Sequence, residues 1–247
     1  MIYKSLPYSI PAVVLLLLSS CSSMYMPNVP AAPMFKDAGE VYISGNINLK
    51  GNISASGGVA VSDHIGVIAN GSYVDRKDSP TDFAQKMGEL GIGYFTTFGQ
   101  RRNRILEVYA GYGMGVVNEL DTRTSTAGPA VVESRDMDFN KIFVQVNYSS
   151  TKREKIRLFG GDRALNYGTI LRLSHVNMTD FKINQLNANK EQNVLIEPVF
   201  YTRMEVGRGW QIQYMTGMNF GLMSNDYLKA GHPINSLGIL YKFGGKN

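Results

Sequence analysis

The residues of this 247-residue chain that could do acid, base or nucleophilic chemistry are few and scattered. One cysteine, Cys21, excludes a disulfide framework and any multi-cysteine metal centre, and three separated histidines leave little for a histidine-based metal site. The nearest thing to a hydrolytic pair is Ser174-His175. Successive residues of a strand point to opposite faces, which parts a nucleophile from a base that must lie within hydrogen-bond reach. Protease chemistry at a barrel rim would draw on Asp121, Asp136 or Asp226 with His232, but acids in outer loops are ordinary, and His64 and His232 read as solvated. Gly111-x-Gly113-x-Gly115 lacks the spacing of a dinucleotide fingerprint and opens no helix, and no Walker lysine is present. Asp121, Glu133, Asp136 and Asp138 lack the spacing of a calcium loop and have Arg123 and Arg135 among them. The expectation is a chain with no catalytic residue, no cofactor and no metal.

The elements that would carry these residues are strands. From Gly39 onward the apolar period is two, and ten strands are expected at about 39–49, 52–61, 65–75, 86–98, 104–117, 138–148, 165–177, 194–205, 210–221 and 234–244. In the fifth, Leu106, Val108, Ala110, Tyr112, Met114 and Val116 share one face, and Glu107, Tyr109, Gly111, Gly113 and Gly115 share the other. Alternation does not say which face looks inward. A soluble sandwich or lipocalin-like barrel buries the apolar face, whereas a membrane barrel turns it to lipid around a polar lumen.

Three features favour the membrane. Glycines string along the polar faces, where bulky inward neighbours such as Tyr109, Phe139 and Phe143 need room. Connections after odd strands (76–85, 118–137, 178–193, 222–233) are longer than those after even ones (62–64, 99–103, 206–209). The tight turn at Lys50-Gly51 and the connection 149–164 are exceptions. Aromatics, including Tyr73, Tyr94, Tyr148, Trp210, Phe220, Tyr241 and Phe243, lie near the ends of apolar faces, where interfacial girdles form.

With this facing, Glu89, Glu107, Lys141, Arg172, Glu197, Arg203 and Glu205 point into the lumen, and their mixed signs predict an ion-pair network filling a narrow barrel. Arg101, Arg102 and Arg104, then Lys152, Arg153, Lys155, Arg157 and Arg163, gather on the short-turn side, where they would meet inner-leaflet phosphates or the cell-wall polymer. The formal charge of +5, or +4 without Lys4, is too mild to suggest nucleic acid.

Residues 1–20 read as an export signal, with Lys4 ahead of an apolar run from Ala12 to Leu18 that is too short to span a bilayer. Leu18-Ser19-Ser20-Cys21 resembles the lipobox of bacterial lipoproteins, which implies that Cys21 becomes the acylated first residue of the mature chain. Residues 21–38, with Pro27, Pro30 and Pro33 and almost no charge, are expected to be an extended tether to a barrel at 39–247. Ser22-Ser23-Met24-Tyr25 lacks the acidic cluster of surface-exported lipoproteins, which would keep the anchor in the periplasm-facing leaflet.

Tyr25-Met26-Pro27-Asn28, Val59-Ala60-Val61-Ser62-Asp63-His64-Ile65-Gly66-Val67 and Glu107-Val108-Tyr109-Ala110-Gly111-Tyr112-Gly113-Met114-Gly115 resemble a family of bacterial outer-membrane barrel lipoproteins of unassigned activity. The likeness spans nearly the whole mature chain, and its motifs mark a fold and not a reaction. It implies an all-β, up-and-down antiparallel transmembrane barrel of about ten strands. The function expected is structural, interactive or that of a narrow pore. The alternatives are an outer-membrane hydrolase, lipid A deacylase-like or omptin-like, and a soluble periplasmic lipocalin-like binder.

Overall fold

The computed structural model describes residues 23–78, 81–123, 131–158 and 161–245. Cys21, the expected signal peptide and part of the long connection after the fifth strand lie outside the described residues. The strands are β1 (Val41–Asn48), β2 (Ile53–Ala60), β3 (Ile65–Asp78), β4 (Thr81–Phe98), β5 (Arg104–Arg123), β6 (Val131–Leu158), β7 (Gly161–Ile183), β8 (Leu186–Asn187), β9 (Gln192–Glu205), β10 (Trp210–Gly217), β11 (Phe220–Gly221) and β12 (Ile234–Phe243). A 3-10 turn, Gln100–Arg102, links β4 to β5.

Consecutive antiparallel pairing runs from β1 to β7, then β7 pairs with β9, β9 with β10, β10 with β12, and β12 with β1. The two-residue strands β8 and β11 are short additions at one rim. Ten strands therefore close on themselves as an up-and-down antiparallel barrel, and closure leaves no continuous edge to pair elsewhere.

Strands β4 to β7 are longer than their alternation suggests, because ladder hydrogen bonding continues beyond the apolar zone. The connections expected at 76–85 and 149–164 are largely hairpin arms, with Asp78 opposite Thr81 and Leu158 opposite Gly161. The β6–β7 hairpin shifts register between Ser150 and Glu154 and projects from the rim that also carries turns 61–64, 99–103 and 206–209. We refer to this rim as the turn end and to the opposite one as the loop end.

The facing of the side chains is unambiguous. Glu107 and Tyr109 are fully buried, while Val108, Tyr112, Met114 and Val116 are exposed on the outer surface. Ile43, Ile47, Leu90, Ile92, Ile142, Val144, Leu171, Leu173, Leu237 and Ile239 extend this apolar surface around the wall. Trp210 packs on Tyr241 at 4.7 Å, Tyr241 on Phe243 at 5.4 Å and Phe98 near Tyr148 at 6.2 Å, marking one level at the turn end. No helix among the described residues is long and apolar enough to cross a membrane.

The inward glycines make room for rings. A Cβ on Gly111 would fall on the Phe143 ring and the Leu90 carbonyl, one on Gly115 would lie 2.5 Å from the Phe139 ring, and one on Gly93 would strike Tyr109. We expect Gly111→Ala to destabilise the barrel by about 1–3 kcal/mol through overpacking, and Met114→Leu on the outer face to cost less than about 1.5 kcal/mol. Urea unfolding in detergent, read with heat-modifiable gel migration, measures both, and equal losses would contradict the facing.

Candidate functional site

The lumen is occupied by the chain itself. Ser23 to Phe35, part of the stretch expected as an extended tether, are all buried. Thirteen residues in an extended proline-rich conformation cover about 40 Å, at roughly 3.1 Å each, enough to run from one rim of the barrel to the other. The direction of the segment is set by its ends. At the loop end Met24 N–H donates to the Tyr227 carbonyl (3.0 Å), Ser23 Oγ donates to the Lys229 carbonyl (2.6 Å) and His232 Nε2 meets the Ser23 carbonyl (3.0 Å). At the turn end Asp37 pairs with Arg102 (2.9 Å) and Ala38 N–H donates to Asp63 (3.2 Å).

This segment pairs with no strand, so its buried peptide groups need side-chain partners. Gln85 on β4 supplies two, accepting from Met26 N–H (2.9 Å) and donating to the Met26 carbonyl (2.7 Å). Gln145 and Asn147 on β6 both donate to the Ala31 carbonyl (2.7 and 3.3 Å). Glu107 on β5 accepts from Met34 N–H (3.3 Å) and Phe35 N–H (3.2 Å), and also from Asn147 and Tyr109. Pro27, Pro30 and Pro33 carry no N–H and so remove three donors that the lumen would otherwise have to satisfy.

The charges gather around one residue of the segment. Glu89 lies 2.9 Å from Arg172 and 3.0 Å from Lys141, and Lys141 lies 3.6 Å from Glu197. The Tyr25 hydroxyl sits among them, accepting from Lys141 (2.8 Å) and donating to Glu197 (3.4 Å). Arg172 stacks over Phe143 at 4.4 Å and donates to Gln145, which joins the ionic cluster to the grip on Ala31. Of the seven lumen charges singled out in the sequence, the structure brings Glu89, Lys141, Arg172 and Glu197 together. Glu107 holds the segment's backbone instead, Arg203 packs against Tyr42 and Tyr201, and Glu205 is half-buried at the turn end.

The interior is also less polar than expected. Met24, Tyr25 and Met26 join Phe83, Met87, Phe139, Met178 and Phe181 in one apolar cluster, and Phe35 joins Tyr42, Phe95, Tyr109 and Phe143 in another. The lumen is packed as a core, with the ionic group embedded in it.

Other candidates fall apart in space. Ser174 is buried inside while His175 looks outward, within 3.2 Å of Gln192. His64 is exposed and stacked on Tyr94. His232 differs from its expected solvated state. It is buried, with Lys50 Nζ 3.1 Å from Nδ1 and Ser23 at Nε2, so Lys50 donates to one ring nitrogen and the other donates to the segment. Among the described residues no group of three or more His, Cys, Asp or Glu is placed to hold a metal. Asp121 and Glu119 lie instead beside Arg135, and Asp136 accepts from Asn118.

No protein-family model and no curated protein matches this sequence. Among solved structures the chain is similar to the translocator domain of the autotransporter NalP from Neisseria meningitidis, at 10% identity and a TM-score of 0.44, covering 83% of this chain and 87% of that one. It is also similar to the beta domain of the Bordetella autotransporter BrkA, at 10% identity and a TM-score of 0.29, covering 84% and 99%. The closed ten-stranded barrel rests on the strand pairings themselves.

Two expectations follow from the site. Glu89→Gln leaves Lys141 and Arg172 buried without their shared carboxylate, and it should cost about 3–5 kcal/mol in a denaturant titration. Burial, with the charges of Lys50 and Arg76, pushes His232 down from 6.5 to about 4. Between those values the unfolded chain binds the proton and the folded chain does not, so stability falls as pH drops from about 6.5 to about 4 and levels off below. Thermal unfolding across this range should show the loss, and His232→Gln should flatten it.

Proposed function

We propose that this chain is a lipid-anchored outer-membrane barrel, closed by its own amino-terminal segment, with a structural or interaction role and no catalysis of its own. The observation that carries the reading is the burial of residues 23–35 along the lumen, held by Gln85, Gln145, Asn147 and Glu107. The apolar outer wall supports lipid as its surroundings and counts against a soluble lipocalin-like binder, whose interior must stay free for a ligand. The separation of Ser174 from His175 counts against hydrolysis by that pair. The exposed Lys155 and Arg157 on the projecting hairpin suit contact with inner-leaflet phosphates or the cell-wall polymer.

In planar bilayers the intact protein should pass little steady current, while a variant lacking residues 24–35 should conduct or fail to assemble as a heat-modifiable barrel. A wild-type pore with large, stable conductance would overturn the plugged reading. Cys21→Ala should abolish acyl labelling, and acyl chains on mature protein from that variant would refute the anchor without touching the plug.

A further inference from the structure

At the turn end the inner segment leans toward β2 to β5, where Phe35 packs against Gly58, Gly66 and Phe95 and Asp37 pairs with Arg102. The far side of the lumen, between Pro33-Met34 and strands β7, β9, β10 and β12, is a cavity of about 210 Å³. One water occupies about 30 Å³ of liquid. The cavity thus has the size of a small organic acid, and not of a sugar chain or a folded peptide.

Its wall contains a cation of unusual standing. Arg203 is 1% exposed, and among the described residues no carboxylate lies within ion-pair distance of it. Its guanidinium carbon lies over the Tyr201 ring at 4.7 Å and the Tyr42 ring at 5.5 Å; Nε donates to Gln213 Oε1 (3.1 Å), and Gln213 Nε2 in turn donates to Asn46 Oδ1. Nη2 has no partner, and neither has the buried Oε1 of Gln211 on the neighbouring strand. A buried guanidinium without a counter-ion is costly. A water at Nη2 would complete a hydrogen bond and leave the charge uncompensated.

The surroundings define what could compensate it. Lys242 is a second cation on the wall, but it is engaged with Glu40 (2.9 Å) and the Met34 carbonyl. Glu205, two residues along β9 on the same inward face, also lines the cavity. Its carboxylate would repel a dianion and welcome a donor beside a single negative charge. A guanidinium edge matches the geometry of a carboxylate.

We propose that this cavity binds a small monocarboxylate solute, its carboxylate on the Nη edge of Arg203 and any hydroxyl or amino group toward Glu205. The site lies beside the segment's Met34 and opens at the turn end, so the proposal is independent of whether the barrel conducts or carries a lipid.

The test uses the purified full barrel in detergent, titrated with acetate, glycine or inorganic phosphate at constant ionic strength. The side-chain amide resonances of Gln211 and Asn166 are followed by NMR. Saturable shifts with acetate and glycine are expected, with phosphate weaker, and Arg203→Gln should weaken acetate binding at least tenfold. No saturable shift, undiminished binding to a folded Arg203→Gln barrel, or tighter binding of phosphate than of acetate would each overturn the proposal. Where Arg203→Gln does not fold, Glu205→Gln decides, because removal of the opposing carboxylate should tighten acetate several-fold, and unchanged or weaker binding counts against the site.

Discussion

A peptide segment buried inside a closed barrel has no strand to pair with, and most of this structure answers to that constraint. The wall's own N–H and C=O groups are consumed in ten ladders, so along the wall the groups of residues 23–35 are met by inward side chains, and only at the loop end does a backbone carbonyl, that of Tyr227, accept from Met24 N–H. Gln85 serves both polar groups of one residue, as a neighbouring strand would. Glu107 collects two successive amides, and Gln145 and Asn147 converge on one carbonyl. Three prolines lighten the same requirement from the other side, because each lacks a donor.

The ionic cluster belongs to this arrangement. Glu89 neutralises Arg172 and approaches Lys141, which approaches Glu197, and the Tyr25 phenol completes the set from the segment. Four charges that sum to zero can be buried together when hydrogen bonds satisfy the remaining lone pairs and protons, whereas any one of them alone could not. Because Arg172 also grips Gln145, the registration of the segment at Tyr25 and at Ala31 is mechanically one feature.

Glycine sets how close the rings can come. Phe143 lies over Gly111 and Gly91, Phe139 over Gly115 and Tyr201 over Gly168, so the rings lie along the wall and leave an axial space for the segment. At the turn end, where the segment leans to one side, the space on the other side becomes the cavity around Arg203.

The sequence by itself determined the number of strands, their order and which side chains share a face, because a period of two and well-placed turns are local properties that closure does not alter. The outward row Leu106 to Val116 and the inward row Glu107 to Gly115 were both legible in one strand. The lengths of β4 to β7 were not, since hydrogen bonding between hairpin arms continues where hydrophobic alternation has stopped. Residues 23–35 read as a tether because prolines and small residues suit an extended chain in any surroundings. The signal against it was composition, with Met24, Tyr25, Met26, Val29, Met34 and Phe35 too apolar for a water-exposed linker. Only the tertiary structure decided which lumen charges meet, because side chains from β4, β6, β7 and β9 approach one another across the barrel at distances that depend on register and on what fills the space between them. It alone turned His232 from a loop residue into a contact for Ser23, and left Arg203 buried without a carboxylate, for the same reason.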